Sequence, residues 1–214
     1  MSKKKGIVLI LLVCVLSSIG IANATLGLSE SEQLMKDAGE SLKDTASLVI
    51  SGEDGGNSIQ SQAVIVAEVN GRSITATEMN LKIQMYALTG KNANEAWDGM
   101  KLVALEEDFA REHGFMPTES EIMERAQQLR AEVEAVQESS DHVAALASGL
   151  GMTLDEYWYE YRVTYEIPTL MVRERVLEYN EANALPDLDI ADADCTIYDA
   201  AYFQSKGISV GEVM

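Results

Sequence analysis

The chain has 214 residues, enough for one domain of ordinary size behind a targeting segment but too few for two full domains and a linker. Hydrophobic residues make up 47% and charged residues 24%, a globular composition, and three prolines with 6% aromatic residues favour helices over a β-sandwich. The 35 acidic against 16 basic residues give a net charge of −19, which argues against nucleic acid as a partner because its phosphates need a basic surface.

The first 24 residues have the layout of a secretory signal peptide. Lys3, Lys4 and Lys5 precede an apolar stretch over residues 6–21, and Ala22-Asn23-Ala24 forms a cleavage site of small residues. We therefore predict export, with cleavage after Ala24, to the extracellular space, the cell surface or the periplasm.

Two alternatives to cleavage remain open. The apolar stretch could stay uncleaved as an anchor, which would be the protein's one membrane contact, although a span needs about 20 apolar residues. Lipidation of Cys14 is a second alternative, but Val13 stands where a lipidation motif has a small residue. Cleavage would leave Cys195 alone, so no intramolecular disulfide is expected.

Residues 25–62 are predicted to form one amphipathic helix followed by a flexible linker. Ser29 and Glu32 have the spacing of a capping box at its start. A single apolar stripe follows at near-helical spacing: Leu34, Ala38, Leu42, Ala46 and Val49. Residues 51–62 are rich in glycine and polar residues, as linkers are.

The organised domain is predicted over residues 63–184 and begins with a hairpin. The segment over residues 64–69 is short and rich in β-branched apolar residues, which predicts a strand. Asn70-Gly71 is a tight-turn dipeptide, and Ile74 lies on the return strand. Thr75 and Glu78 then form a capping box that opens a helix reaching about residue 89.

Four further helices are predicted, over residues 94–113, 118–136, 141–150 and 153–183. The first has only a narrow polar face and should be the most buried. The second carries one clean apolar stripe: Ile122, Ala126, Leu129, Val133 and Val136. Pro168 should kink the last helix because proline has no N–H and crowds the preceding turn. The fold class is therefore mainly α with a short β-hairpin at the start of the domain.

Residues 185–214 read as an acidic C-terminal tail, with short strands possible at residues 196–198 and 208–210. Its four aspartates at positions 187, 189, 192 and 194 lack the glycine and glutamate of a calcium loop. His113 and His142 have no ligand-like partner three or four residues away. We expect no metal, no cofactor and no catalytic residues.

Methionine and aromatic residues are the most informative feature of the helical region. Tyr157, Tyr161 and Tyr165 are spaced to share one helix face. Core packing is one interpretation of this face. The functional hypothesis is a groove for peptides, since methionine adapts to varied shapes and aromatic rings offer large contact area. Its predicted lining is Met85, Tyr86, Tyr157, Trp158, Tyr161 and Tyr165.

The order of these elements resembles the N-terminal domain of the SurA/PrsA-like chaperones. The segment VAEVNGRSITATEMN resembles that domain's opening strand, turn and capped helix. LVALEEDFAREHGFMPTESEIMERAQQL is similar to its second and third helices, and GMTLDEYWYEYRVTYEI to the start of its long helix. The resemblance covers residues 63–183.

The resemblance implies an exported, mostly helical chaperone domain that holds unfolded or extended client polypeptides. Family members that are prolyl isomerases carry a parvulin domain after the long helix, whereas about 30 residues without histidine follow Leu185 here. We therefore do not expect isomerase activity. In the family, later segments return to complete the N-terminal domain, and residues 196–210 could do so by pairing with residues 64–69.

Two rival functions are kept beside the non-enzymatic holdase. One is a peptidyl-prolyl cis-trans isomerase with a site that no motif reveals. The other is an assembly or interaction protein with one dedicated partner.

Overall fold

The computed structural model describes residues 28–51 and 64–210. It is mainly helical, with a small three-stranded antiparallel sheet, so the predicted helical class is confirmed. The predicted signal peptide and residues 52–62 of the predicted linker lie outside the described residues, whereas Ser51 belongs to the first helix. Within the described part of the chain, no helix is both long enough and apolar enough to cross a membrane.

The elements follow one another in the order helix, hairpin, helices, strand, helix. The first half contains α1 (Leu28–Ser51), β1 (Ile65–Val69), β2 (Arg72–Thr75), α2 (Ala76–Leu88), α3 (Ala93–Glu112), α4 (Glu119–Glu134) and α5 (Gln137–Leu150). The second half contains α6 (Leu154–Glu156), a π-helical turn (Tyr157–Tyr161), α7 (Arg162–Tyr165), α8 (Ile167–Asn183), a 3₁₀ turn (Ile190–Asp192), β3 (Cys195–Ile197) and α9 (Ala200–Ser205).

The hairpin forms where the sequence predicts it. Asn70 and Gly71 both have positive φ, 49° and 76°, which is the geometry of the tight turn that matches the twist of two antiparallel strands. The Thr75 side chain accepts a hydrogen bond from the Glu78 amide at 3.1 Å and so caps α2.

The C-terminal segment completes the sheet. β3 pairs with β1 in antiparallel register, Ala67 opposite Ile197, which gives the strand order β2-β1-β3. The Asn70 amide donates to the Asp194 carbonyl at 2.9 Å, and the Asp194 amide donates to Asn70 Oδ1 at 3.0 Å. Residues 208–210, considered as a strand above, form none, but Ile208 is buried.

Two helices differ from their predicted bounds. α5 begins at Gln137 rather than residue 141, and Val136, assigned above to the α4 stripe, is exposed and precedes α5. Since Val136 provides no side-chain cap, the sequence carries no start signal there. The long last helix is broken, because Pro168 lies in the first turn of α8 and cannot extend the preceding helix.

The apolar interior consists mainly of two clusters. The first joins α1, α2, α4, α5 and the segment from the π-helical turn to α8. The second lies between the sheet, α3 and α9, with Phe203 and Ile208 at its centre. The C-terminal segment thus belongs to the core of the fold and is more than an acidic tail.

Candidate functional site

The predicted tyrosine face exists, and its first two rings point into the protein. Tyr157 and Tyr161 stack with ring centroids 5.9 Å apart, and Tyr165 follows 5.8 Å beyond Tyr161. Tyr157, Trp158 and Tyr161 are only 4%, 1% and 2% exposed, while Tyr165 is half-buried. Burial raises the pKa of the Tyr161 hydroxyl well above 10.0, its ordinary value. Three of the six predicted groove residues are therefore inaccessible in this conformation.

A buried arginine completes this aromatic cluster. The Arg162 guanidinium lies 4.5 Å from the centre of the Trp158 ring, a cation–π distance. Its Nε donates to Glu166 Oε2 at 2.7 Å, so the buried charge is paired. The cluster is thus stabilised by packing and by an internal ion pair.

The two predicted groove residues of α2 belong to different clusters. Met85 packs against the first cluster, beside the tyrosines, as predicted. Tyr86 packs against the second cluster, and the ammonium groups of Lys82 and Lys91 lie 5.4 and 5.0 Å from its ring centre. The structure therefore does not bring Tyr86 and the tyrosine face together in one groove, because neighbouring positions on a helix point in different directions.

A charged network lies between α2, α3 and α8. Arg173 Nε donates to Glu106 Oε1 at 2.8 Å, and burial raises the pKa of the Glu106 carboxyl despite this partner. Burial, with the charges of Arg173 and Arg72, lowers the pKa of Lys82. Opposite charges balance inside the network, so we assign it to the stability of the helix packing.

A metal site and a ligand pocket place different requirements on the described residues. Within residues 28–51 and 64–210, no group of three or more His, Cys, Asp or Glu side chains is placed to hold a metal ion. A shallow cleft of ≈ 200 Å³ lies between α4 and α8, below the roughly 300 Å³ at which ligand pockets begin. Its lining is Glu121, Glu124, Arg125, Gln128, Met171 and Arg175.

The most specific contact surface is the one beneath α1. This helix packs on α5 and α2, and Leu42 and Ala46 of its stripe belong to the same apolar cluster as the buried tyrosines. The stripe's buried residues are Met35, Ala38, Gly39, Leu42 and Ala46. We call the surface it covers the α1 seat: Leu81 of α2 together with Val143, Ala147, Gly149 and Leu150 of α5.

Residues further along α1 contact residues further along α5, so the two helices are parallel. A hydrogen bond of 2.8 Å joins Ser31 Oγ and His142 Nε2 near their starts. The Lys43 side chain lies beside Gly151, the residue that ends α5 with a φ of 78°. There its charge is favourable, because the carbonyl end of a helix attracts cations.

Two glycines form the centre of this contact. A Cβ on Gly39 would lie 2.9 Å from the Cα of Gly149 and 2.8 Å from the amide nitrogen of Leu150. A Cβ on Gly149 would lie 2.9 Å from the Cα of Gly39 and from the amide nitrogen of Glu40. Backbone atoms cannot move aside as a flexible side chain can, so the helices touch at this distance only because both residues are glycine.

Sequence reasoning placed Ala38, Leu42 and Ala46 correctly on the buried face of α1, but Leu34, assigned above to the stripe, is exposed and Met35 is buried instead. The side chain of Val49 lies outside the described residues.

Sequence reasoning missed the α1 seat. In the sequence, Gly149 and Gly151 together have the pattern of a helix terminator; Gly151 does end α5, whereas Gly149 lies inside it. The available signal was a glycine on the apolar face of each of two helices, in the middle of α1 and in the last turn of α5. Glycine is unfavourable within a helix, so its presence there indicates close backbone packing.

Comparisons with protein-family models, curated proteins and solved structures found no match to this chain.

Proposed function

We propose that the protein is an exported, non-enzymatic holdase that binds unfolded or extended polypeptide segments through apolar surface. The observation that carries the proposal is that α1 packs by one apolar stripe on the helical body, in the same cluster as the tyrosines. A helix joined to the body through a predicted linker can leave its place, and its departure would expose apolar surface. The resemblance to SurA/PrsA-like N-terminal domains supports the same function.

The chemistry of the surface fits varied clients. Met35 of α1 is fully buried, and Met85 and Met152 pack against the first cluster. Methionine side chains are unbranched and polarisable, so they accommodate partners of different shape. The net charge of −19 adds mutual repulsion between copies, which favours solubility while a client is bound.

The test uses the chain from Thr25 to Met214, which contains every described residue. A chemically denatured client is diluted into this protein, and light scattering follows client aggregation. We expect suppression that grows with molar ratio and saturates. If aggregation is unchanged at every ratio, the holdase proposal is wrong.

A proline-peptide isomerisation assay on the same chain tests the enzymatic alternative. We expect no acceleration over the spontaneous reaction. Acceleration that survives repurification would favour the prolyl isomerase.

A dedicated partner is the second candidate, favoured by apolar residues on the sheet. Val64, Ile65 and Tyr198 are all exposed, and the Tyr198 amide donates to the Val66 carbonyl at 2.9 Å, which places them along one part of β1. Substituting all three by serine should abolish binding of a dedicated partner. The same variant should leave suppression of client aggregation unchanged if the holdase proposal is right.

A further inference from the structure

We propose that the α1 seat is a binding site for amphipathic helical segments with a glycine at the centre of their apolar face, and that α1 occupies this site when no client is bound. The inference rests on the proposed holdase function and names the class of client segment. A client that binds would therefore occupy the same site as α1 and displace it.

The first argument is the close approach of the two helix backbones. Around Gly39, the atoms that a Cβ would meet within 3 Å belong to the backbones of Leu146, Gly149 and Leu150. Alanine is a better helix former than glycine by about 0.5–1 kcal/mol, so helix formation alone does not favour glycine there. The seat therefore selects occupants by size at one position. Even the Cβ of alanine would collide with the Leu146 carbonyl oxygen, so glycine is the residue that fits at this position.

The second argument is the pattern of the resident stripe. Counted from Gly39, the other buried positions are Met35 at −4, Ala38 at −1, Leu42 at +3 and Ala46 at +7. These spacings keep one face of a helix on the seat, as in other helix-in-groove complexes. A client segment should repeat this pattern, with small or flexible apolar residues around a central glycine.

The third argument is the polar outer face of α1. Lys36 and Glu40 form a surface ion pair with Nζ and Oε1 3.9 Å apart, and Lys43 and Asp44 are exposed. A released α1 therefore keeps a polar face toward water and exposes only its stripe. When α1 is released, the stabilisation from burying its apolar stripe is lost. A client that buries an equivalent stripe on the α1 seat restores that stabilisation.

Competition between α1 and a client follows from their connection. Residues 52–63 join α1 to the body, and a linker of that length holds a tethered helix at an effective concentration of order mM. A client in solution must displace this resident helix, so its apparent affinity is low while α1 is intact. Weakening α1 alone should raise that apparent affinity.

The experiment measures binding of a fluorescent peptide with the sequence of residues 28–51 to the chain from Thr25 to Met214. Gly39→Leu in the protein detaches its own α1 and leaves the seat unchanged, so we expect binding at least about tenfold tighter than to the unaltered chain. Gly149→Leu also detaches α1, but it alters the seat, so we expect the peptide not to bind.

Two controls are matched to these variants. Ser148→Leu changes an exposed neighbour on α5 and should behave like the unaltered chain. A peptide that itself carries Gly39→Leu should bind none of the proteins. Circular dichroism measures whether each variant is folded. Where a leucine variant is not folded, the alanine variant at the same position, Gly39→Ala or Gly149→Ala, is used instead.

The results separate this inference from the holdase proposal. If the Gly39→Leu and Gly149→Leu proteins bind the peptide equally, or if neither differs from the unaltered chain, the α1 seat is not the binding site. This conclusion holds even if the protein suppresses aggregation. If the peptide binds as expected while no variant suppresses aggregation, the seat stands and the holdase proposal fails.

Discussion

The ring of Phe203 meets the ring of Trp97 edge to face, with centroids 5.0 Å apart and an interplanar angle of 69°. Trp97 lies on α3 in the middle of the domain, whereas Phe203 lies on α9, close to the end of the chain. This contact, with the pairing of β3 and β1, incorporates the C-terminal segment into the second apolar cluster. Edge-to-face aromatic pairs add about 0.5–1.5 kcal/mol beyond their burial.

Phe203→Ala should therefore destabilise the whole domain. Phe203 is fully buried, and removal of a buried phenylalanine costs about 3–5 kcal/mol through lost contacts and a cavity. Thermal and denaturant unfolding measure the loss. Gln204→Ala changes the exposed neighbour on the same helix and should have an effect within about 0.5 kcal/mol. A Phe203→Ala variant as stable as the unaltered protein would show that α9 is not docked in solution.

Tyr161→Ala should lower the melting temperature markedly, because its ring is buried between Tyr157 and Tyr165. The expected loss is about 3–5 kcal/mol, as for other large aromatic side chains. Tyr165→Ala removes a half-buried ring and should cost less. Melting temperature and aggregation suppression are measured together on both variants. Loss of suppression with an unchanged melt would instead support the open tyrosine groove that the sequence suggests.

Glu121 should make the stability of the domain depend on pH in the acidic range. Its Oε2 accepts hydrogen bonds from the Thr118 amide at 2.7 Å and the Thr118 hydroxyl at 2.9 Å, and Oε1 accepts one from Arg175 at 2.6 Å. These bonds, those from Thr118 first, lower the pKa of the Glu121 carboxyl from 4.5 to about 2. Because the folded state favours the ionised form, the contribution is complete above pH 4.5 and is lost as the pH falls toward 2.

Glu121→Gln should thus reduce the melting temperature at pH 6, and the difference from the unaltered protein should shrink as the pH is lowered toward 2. Glu119→Gln changes an exposed carboxylate in the same helical turn and should give a smaller and flatter difference. NMR titration of the Glu121 side chain reads the pKa directly. A difference in melting temperature that does not change with pH would contradict the assigned hydrogen bonds.

The sequence was a good guide wherever neighbouring residues decide the conformation. The hairpin follows from Asn70-Gly71, and the start of α4 follows from Thr118 and Glu121, whose mutual hydrogen bonds form a capping box. Such signals are local, since the interacting atoms are two to four residues apart. The last helix is broken at Pro168, where the sequence predicts only a kink, and a π-helical turn over Tyr157–Tyr161, which no sequence pattern indicates, precedes the break.

The positions of the candidate site residues depended on contacts between distant segments. The spacing of Tyr157 and Tyr161 predicts a shared face but does not say whether that face meets water or the core, and here the surrounding helices bury it. Gly39 and Gly149 meet although 110 positions separate them, so no local pattern could pair them. By itself the sequence determined the mainly helical class and the central part of the α1 stripe, Ala38, Leu42 and Ala46, because both arise from periodicity along one segment. Only the tertiary structure decided what covers that stripe, because burial is set by the packing of elements that are far apart in the chain.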